Sequence, residues 1–342
     1  MLTGLLYSPL AFSQDEVVVE EEPTFTISGS IDTYFHSSFG TDADAPATSF
    51  ANLPGFGLGM ANLIASYSGE KVGFTADLVF GPRGYDAVFA NEYTDQRIVN
   101  QLFAYVKLGN AVTLNMGQFN TFLGYEVISP TINANYSTSY MFSYGPFSHT
   151  GLRADFDFGS GWVAKLAIMN PTDFVEFNPD DKYTLGGQLG YTNDNGGIWL
   201  NVLSGEQPDG TGESTFQVDL TTGWNLTEAV YLGLNATSRT VDGAGFSGVA
   251  IYPKFTLSDA FALALRGEYF MVKEGYIEPF ALDGDGDGSV LAVTVSGNIS
   301  VGNLMIIPEV RIDSTSEDTF PDGDEEAKGS LGTFTLAAVY KF

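Results

Sequence analysis

From Phe25 onward, apolar and polar residues alternate in short stretches that repeat to Phe342. In the first, Phe25, Ile27, Ile31, Thr33 and Phe35 share one face, while Ser28, Ser30, Asp32, Tyr34 and His36 share the other. Period two with one apolar face predicts a strand standing between two different environments. The same alternation returns at Val72–Phe80, Phe216–Trp224 and Phe261–Met271. The whole pattern predicts sixteen strands, starting near residues 25, 57, 72, 96, 112, 148, 162, 182, 198, 214, 229, 248, 261, 289, 303 and 330.

The connections sharpen the picture. Even-to-odd joins are tight and rich in turn residues: Ser68-Gly69-Glu70-Lys71, Gly109-Asn110-Ala111, Gly159-Ser160-Gly161, Asn193 to Gly197, Asn225 to Glu228, Ser258-Asp259-Ala260 and Val301-Gly302. Gly and Asn supply the positive φ that hairpin turns require. Every odd-to-even connection is expected to be longer, about 8 to 30 residues. Short turns at one rim and long loops at the other predict an all-β fold: a transmembrane, antiparallel, up-and-down β-barrel of 16 strands. All three Trp residues sit beside short turns, Trp162 and Trp224 on the apolar face and Trp199 on an ambiguous one, as an interfacial girdle requires. The last strand places Phe334, Leu336, Ala338, Tyr340 and Phe342 on one face and must pair with the first, because a closed barrel has no edges.

Composition removes other classes. With no Cys, disulfides and thiolate metal sites are excluded. No apolar run reaches the ~18 residues of a spanning helix. The net charge of −28 lies mostly between the strands: Asp15 to Glu22 ahead of the first, Glu278 to Asp287 in a late connection, and Glu317 to Glu326 in the last. Such a surface repels nucleic acid, which needs clustered Lys and Arg, and attracts cations. Residues 1–13 read as a signal peptide, truncated at its start because a basic region is missing. Residues 14–24 form an acidic segment, and 25–342 form a single barrel domain.

Two stretches resemble a known family. Gly117-Gln118-Phe119-Asn120-Thr121-Phe122-Leu123-Gly124-Tyr125-Glu126 and Gly145-Pro146-Phe147-Ser148-His149-Thr150-Gly151-Leu152-Arg153 are similar to the OmpL-like β-barrel porin family, as is the opening Ile27 to Tyr34. The resemblance spans nearly the whole chain after residue 24 and implies a porin of the bacterial outer membrane, without naming a solute. The terminal strand and Phe342 likewise resemble the aromatic signature of outer-membrane barrels that the barrel-assembly machinery reads. Lipid and lipopolysaccharide are then the surrounding partners. Oligomeric state stays open, since lipid-facing and subunit-facing stripes are both apolar.

Sixteen strands enclose an aqueous channel, whereas about eight are filled by side chains. Inward positions then set selectivity. They include Asp32, Tyr34, His36, Lys107, Asn115, Arg153, Asp155, Asp157, Lys165, Asn201, Arg266, Glu268, Glu309, Arg311 and Asp313. The third long loop, Asn120 to His149, carries Tyr125, Glu126, Tyr136 and Tyr140. It is expected to fold inward and narrow the pore, with Glu126 facing Arg153 or another lumen base. The function expected is passive diffusion of small hydrophilic solutes or ions. The alternatives are a plugged structural or surface-binding barrel, and a sugar-type channel using the loop's aromatic rings. No cofactor is expected. Asp283, Asp285 and Asp287 resemble the start of a Ca²⁺ loop, but the twelfth position is Thr294 where a bidentate Glu is needed, so a solvated acidic loop is the favoured reading. His36 and His149 are the sole histidines, and no nucleophile or phosphate motif accompanies them, so an enzyme is not expected.

Overall fold

The computed structural model describes residues 23–88, 98–178, 181–206, 214–323 and 325–342. The signal-peptide expectation and the acidic run 15–22 lie outside them. Strands β1 (Thr24–Phe39), β2 (Gly55–Ser68), β3 (Val72–Phe80), β4 (Val99–Lys107) and β5 (Val112–Asn120) open the sheet. They are followed by β6 (Ser148–Gly159), β7 (Trp162–Met169), β8 (Thr184–Asn193), β9 (Gly196–Glu206) and β10 (Ser214–Asn225). Then come β11 (Val230–Val241), β12 (Ala244–Ser258), β13 (Phe261–Lys273), β14 (Gly288–Val301) and β15 (Leu304–Thr315). A small separate hairpin, β16 (Phe320–Asp322) and β17 (Glu325–Lys328), precedes the closing strand β18 (Ser330–Lys341). Two short helices, α1 (Pro82–Ala87) and α2 (Tyr140–Ser143), lie in connections.

Each barrel strand pairs antiparallel with its sequence neighbours, and β18 pairs with both β15 and β1. The seam runs from Ser30↔Lys341 to Phe39↔Gly332. It finishes with reciprocal bonds between Gly29 and Phe342, N to O at 3.1 and 3.0 Å. Closure matters because hydrocarbon offers no partners to unpaired backbone groups.

The sidedness is inverted relative to a soluble barrel. Ile27, Phe56, Met116 and Leu166 are between 60% and 92% exposed, whereas Arg266 and Glu268 are fully buried. Apolar surface left outward in this amount, over charges held inward, fits a lipid environment.

Sequence and structure part at three points here. The connection from β11 to β12 is the two-residue turn Asp242-Gly243, with φ of 50° and 100°, not a long loop. Asp-Gly is a strong two-residue hairpin signal, and β12 begins at Ala244, ahead of its expected start near residue 248, to meet it. The last connection carries the β16–β17 hairpin, which the acidic composition of 317–326 hides. Trp199 faces the lumen and is buried, lying across Gly190 and Gly197, where a Cβ would come within 2.3 and 2.4 Å of its ring. The outward girdle at this rim therefore holds Trp162 and Trp224, with Trp162 packed against Tyr191 at 5.3 Å.

Candidate functional site

A segment without a strand partner must satisfy its N–H and C=O groups some other way. Residues 121–147, the long connection after β5, do so inside the barrel. At its start, Phe122 and Leu123 pack with Phe119, Ala167, Met169 and Leu203 of the wall. Gln188 Nε2 donates to the Phe122 carbonyl at 3.1 Å, and the Gly124 N–H donates to Asp219 Oδ1 at 3.0 Å. Tyr125 then stacks on Tyr252, ring centroids 4.1 Å apart, and its hydroxyl meets that of Tyr231 at 3.0 Å. The ring lies flat against Gly233, where an added Cβ would sit 2.4 Å from the phenol oxygen. Gly233→Val is therefore expected to lift Tyr125 off Tyr252, costing ~1–3 kcal/mol of overpacking. A lowered melting temperature in detergent, with the variant still inserted, checks this.

Beyond Tyr125 the segment meets four buried wall charges. Glu126 Oε1 accepts from Arg266 Nη1 at 2.6 Å, and Glu126 Oε2 accepts the Ser139 N–H and hydroxyl at 2.7 and 2.6 Å. Arg266 Nη1 also donates to the Ser137 carbonyl at 2.6 Å, and its Nη2 reaches Ser137 Oγ and Thr294 Oγ1. Glu309 takes the N–H groups of Tyr136 and Ser137 at 2.7 and 3.0 Å and the Ser296 hydroxyl at 2.6 Å. Glu268 takes those of Tyr140 and Met141 at 2.9 and 2.8 Å, at the start of α2, where Ser139 is the N-cap. Arg311, paired bidentately with Asp313, donates to the Thr138 carbonyl at 2.8 Å. The division is consistent: wall carboxylates take the segment's N–H groups and wall guanidiniums take its carbonyls. Charge-assisted bonds of this kind are about twice as strong as neutral ones.

Asp32 completes the grip. Its Oδ2 accepts the Tyr136 hydroxyl at 2.5 Å, and its Oδ1 accepts the Met60 N–H at 2.9 Å. The β1–β2 register slips between Ile31 and Thr33, so two residues of β2 oppose Asp32, and the carboxylate takes the N–H that the bulge frees. Gly59 leaves room for it: an added Cβ would stand 1.7 Å from Asp32 Oδ2. From the second long connection, Arg83 reaches in and donates to the Ile128 and Tyr136 carbonyls at 3.0 and 3.4 Å.

The sequence of residues 24–342 matches the model of the family described as "Putative beta-barrel porin-2, OmpL-like". The chain belongs to this porin family. No curated protein matches it in sequence. Among solved structures, it is similar to an anion-selective porin from Comamonas acidovorans at 12% identity, TM-score 0.64, covering 94% of this chain and 100% of that one. OmpT, an outer membrane protein of Vibrio cholerae in a trimer form, aligns at 13% identity and TM-score 0.60, covering 94% and 100%. OmpF of Salmonella typhi, in complex with daunomycin, aligns at 12% identity and TM-score 0.61, covering 93% and 97%. Identities this low carry the barrel fold, and the family match carries the class: a porin of the bacterial outer membrane.

Of the expected lumen residues in this porin, Asp32, Tyr125, Glu126, Tyr136, Arg266, Glu268, Glu309 and Arg311 converge on the inserted segment. Arg153 does not face Glu126. It is held bidentately by Asp155 at 2.8 Å, with Lys165 3.6 Å from the same carboxylate and Phe119 under its guanidinium. The nearer base for Glu126 is Arg266, because the chain crosses the lumen before residue 126. Lys107 lies at the short-turn rim, 3.4 Å from the Gly69 carbonyl, at the end of β4 rather than at a waist. His36 is tied to Thr335 Oγ1 and the Asp44 carbonyl. Asp283 Oδ1 accepts the N–H groups of Asp285 and Asp287 at 2.9 Å, and Asp287 Oδ1 accepts that of Glu274. These carboxylates close their own loop, and among the described residues no group of three or more His, Cys, Asp or Glu could hold a metal ion.

Sequence reasoning missed Asp77, Asp219, Arg83, Arg239 and Asp173. Asp77 accepts from the amides of Asn62, Asn100 and Gln101. Asp219 accepts from Asn201, Asn235 and Thr221 besides Gly124. Strict alternation from the apolar neighbours Ala76, Leu78, Val218 and Leu220 places both inward, so the signal was present. Arg83, in the short helix α1, and Asp173, in a loop, lie in connections between strands, where no strand periodicity points.

Asp173 Oδ1 accepts the Phe147 and Ser148 N–H groups at 2.9 and 2.8 Å, fastening the end of the inserted segment. Burial pushes its carboxyl up from 3.8 to about 6, and the two N–H bonds pull it only part of the way back. Because the folded value is the higher one, this group's stabilisation is complete below pH 3.8 and is lost as pH rises through about 6. Asp173→Asn keeps the accepting oxygen and cannot ionise. Its melting temperature is expected to fall less than that of the parent between pH 4 and pH 7; equal falls would contradict this.

Proposed function

We propose that this porin is a passive diffusion channel for small hydrophilic solutes or ions, narrowed by residues 121–147. The observation that carries the reading is the bonding of the Tyr136, Ser137, Tyr140 and Met141 N–H groups to Glu309 and Glu268 of the wall. A segment fastened by its backbone in this way cannot also stand outside as a flap. The lumen charges and amides give a wet, polar conduit, and a barrel of 16 strands is wide enough to keep an aqueous path beside an inserted loop. The porin family supports a channel rather than an enzyme, and His149 is buried among Phe119 and Phe122.

A plugged barrel is the second reading. It is favoured by the segment's contacts on opposite sides, with Asp219 of β10 and Tyr231 of β11 at one end and Asp32 of β1 in the middle. The sugar-type reading fares worse. Tyr136 and Tyr140 are fully buried, and Tyr125 already stacks on Tyr252, so the rings offer little surface to a solute. Single-channel recording in planar bilayers separates the first two. Stable steps support the diffusion channel; silence from a verified, folded and inserted barrel overturns it.

A further inference from the structure

The lumen's acids and bases are treated differently by the fold. On the wall that grips the segment, Glu268, Glu309 and Asp32 accept N–H and O–H donors and Asp313 is paired with Arg311, while the segment's own Glu126 is paired with Arg266. On the rest of the wall, Asp77 and Asp219 are wrapped by side-chain amides and Asp155 is shared by Arg153 and Lys165.

Among the described residues, Arg239 and Lys254 are inward bases for which neither a carboxylate nor a carbonyl acceptor is seen. Arg239, on β11 in line with the buried Asn235 and Thr237, is more than nine-tenths buried, and its Nε has no hydrogen-bond partner. Its guanidinium sits 5.9 Å from the Tyr276 ring. Asp173 feels its charge, but that carboxylate lies beyond ion-pair distance and is occupied by Phe147 and Ser148. Lys254, on β12 in line with the buried Ala250 and Tyr252, is half-buried beside Tyr231 in register. Among the described residues, no carboxylate lies within 4.0 Å of either base. A guanidinium Nε held this deep without an acceptor is costly, and an anion passing the site can supply acceptors to the group.

We infer that the channel prefers anions, opposite in sign to the net charge of −28, and that Arg239 near the outer mouth and Lys254 in the inner half are the stations that select them. The external carboxylates do little against this. They sit on the loops, and their field is screened beyond ~8 Å at physiological salt. Selectivity is set by charges inside, where low-dielectric walls focus the field. The chemical class of solute is a small inorganic or carboxylate anion.

This rests on the diffusion-channel reading, and one experiment distinguishes the two. The full chain is inserted into a planar bilayer under a KCl gradient, and the reversal potential gives the ratio of Cl⁻ to K⁺ permeability. The expected result is Cl⁻ preferred. Arg239→Gln and Lys254→Gln are each expected to lower the ratio, and together to lower it several-fold, while Lys328→Gln at the outer rim, already paired with Asp322, leaves it unchanged. Conductance with K⁺ preferred in the parent overturns the inference and keeps the channel. Cl⁻ preference that survives the double variant, shown folded by unchanged β-sheet circular dichroism, overturns the assignment to these residues. No conductance at all from the inserted barrel removes the channel reading and this inference with it.

Discussion

Arg266→Met is expected to free the inserted segment and raise the unit conductance. Arg266 is fully buried and makes four hydrogen bonds, to Glu126, the Ser137 carbonyl, Ser137 Oγ and Thr294 Oγ1. Met keeps the length and apolar stem but none of the donors. Glu126 is then left with Ser139 alone, and the Ser137 carbonyl with nothing. Removing one partner of a buried pair costs ~3–5 kcal/mol, and water entering from the lumen keeps the loss at the lower end. That is enough to shift the segment between its inserted and released states. Released, it would give larger steps, noisier open levels and protease sensitivity between residues 126 and 143. Arg266→Lys keeps the charge and loses the fork, so it should fall between parent and Met. The double change Arg266→Met with Glu126→Gln should recover part of the stability, because the stranded charge is gone. Unchanged conductance and unchanged melting in Arg266→Met would show that the pair does not hold the segment.

The barrel was legible because its rules are periodic. Strand β13 shows why: Phe261, Leu263 and Leu265 turn outward while Arg266 and Glu268 turn inward, and each is set by its neighbour. The site was legible in its residues and not in its pairings. Glu126 and Arg266 are 140 positions apart, and alternation says which face a residue takes, not which residue stands opposite across the lumen. Where the chain leaves the period, the reading fails for a stated cause. The alternation marks β12 only from about residue 248, four residues late, because Gly245 has no side chain to show a face, so Asp242-Gly243 falls outside the expected strands. Trp199 was ambiguous because its outward neighbours, Ile198 and Leu200, are apolar as well, so polarity did not separate the faces.

The division of labour in the lumen also gives the inward carboxylates a structural task. Of the chain's acids, those inside act as acceptors for a backbone that has no ladder, and a carboxylate can take two N–H groups at once, as Glu268 and Glu309 do. Neutral acceptors would hold the same segment with weaker bonds. Acids engaged in this way keep their charge but have few lone pairs left to offer a solute.

Replacing residues 126–143 with a short Gly-Ser linker from Tyr125 to Tyr144 should leave the barrel folded and change what it conducts. The wall needs nothing from the segment: every barrel strand is hydrogen-bonded on both sides by other strands. The groups left without partners, Glu268, Glu309, Asp32, Arg266, Arg311 and Asp313, would face water rather than lipid, so their loss of bonds is offset by hydration. The unit conductance should rise several-fold and larger neutral solutes should pass. The newly wet wall carries more acids than bases, so the ratio of Cl⁻ to K⁺ permeability should fall below that of the parent even with Arg239 and Lys254 in place. A folded excision variant with the parent's conductance and selectivity would mean that the path never ran beside the segment. A parent that is silent while the excision variant conducts would make residues 121–147 a plug, and would turn the same bonds to Glu268 and Glu309 from a constriction into a closure.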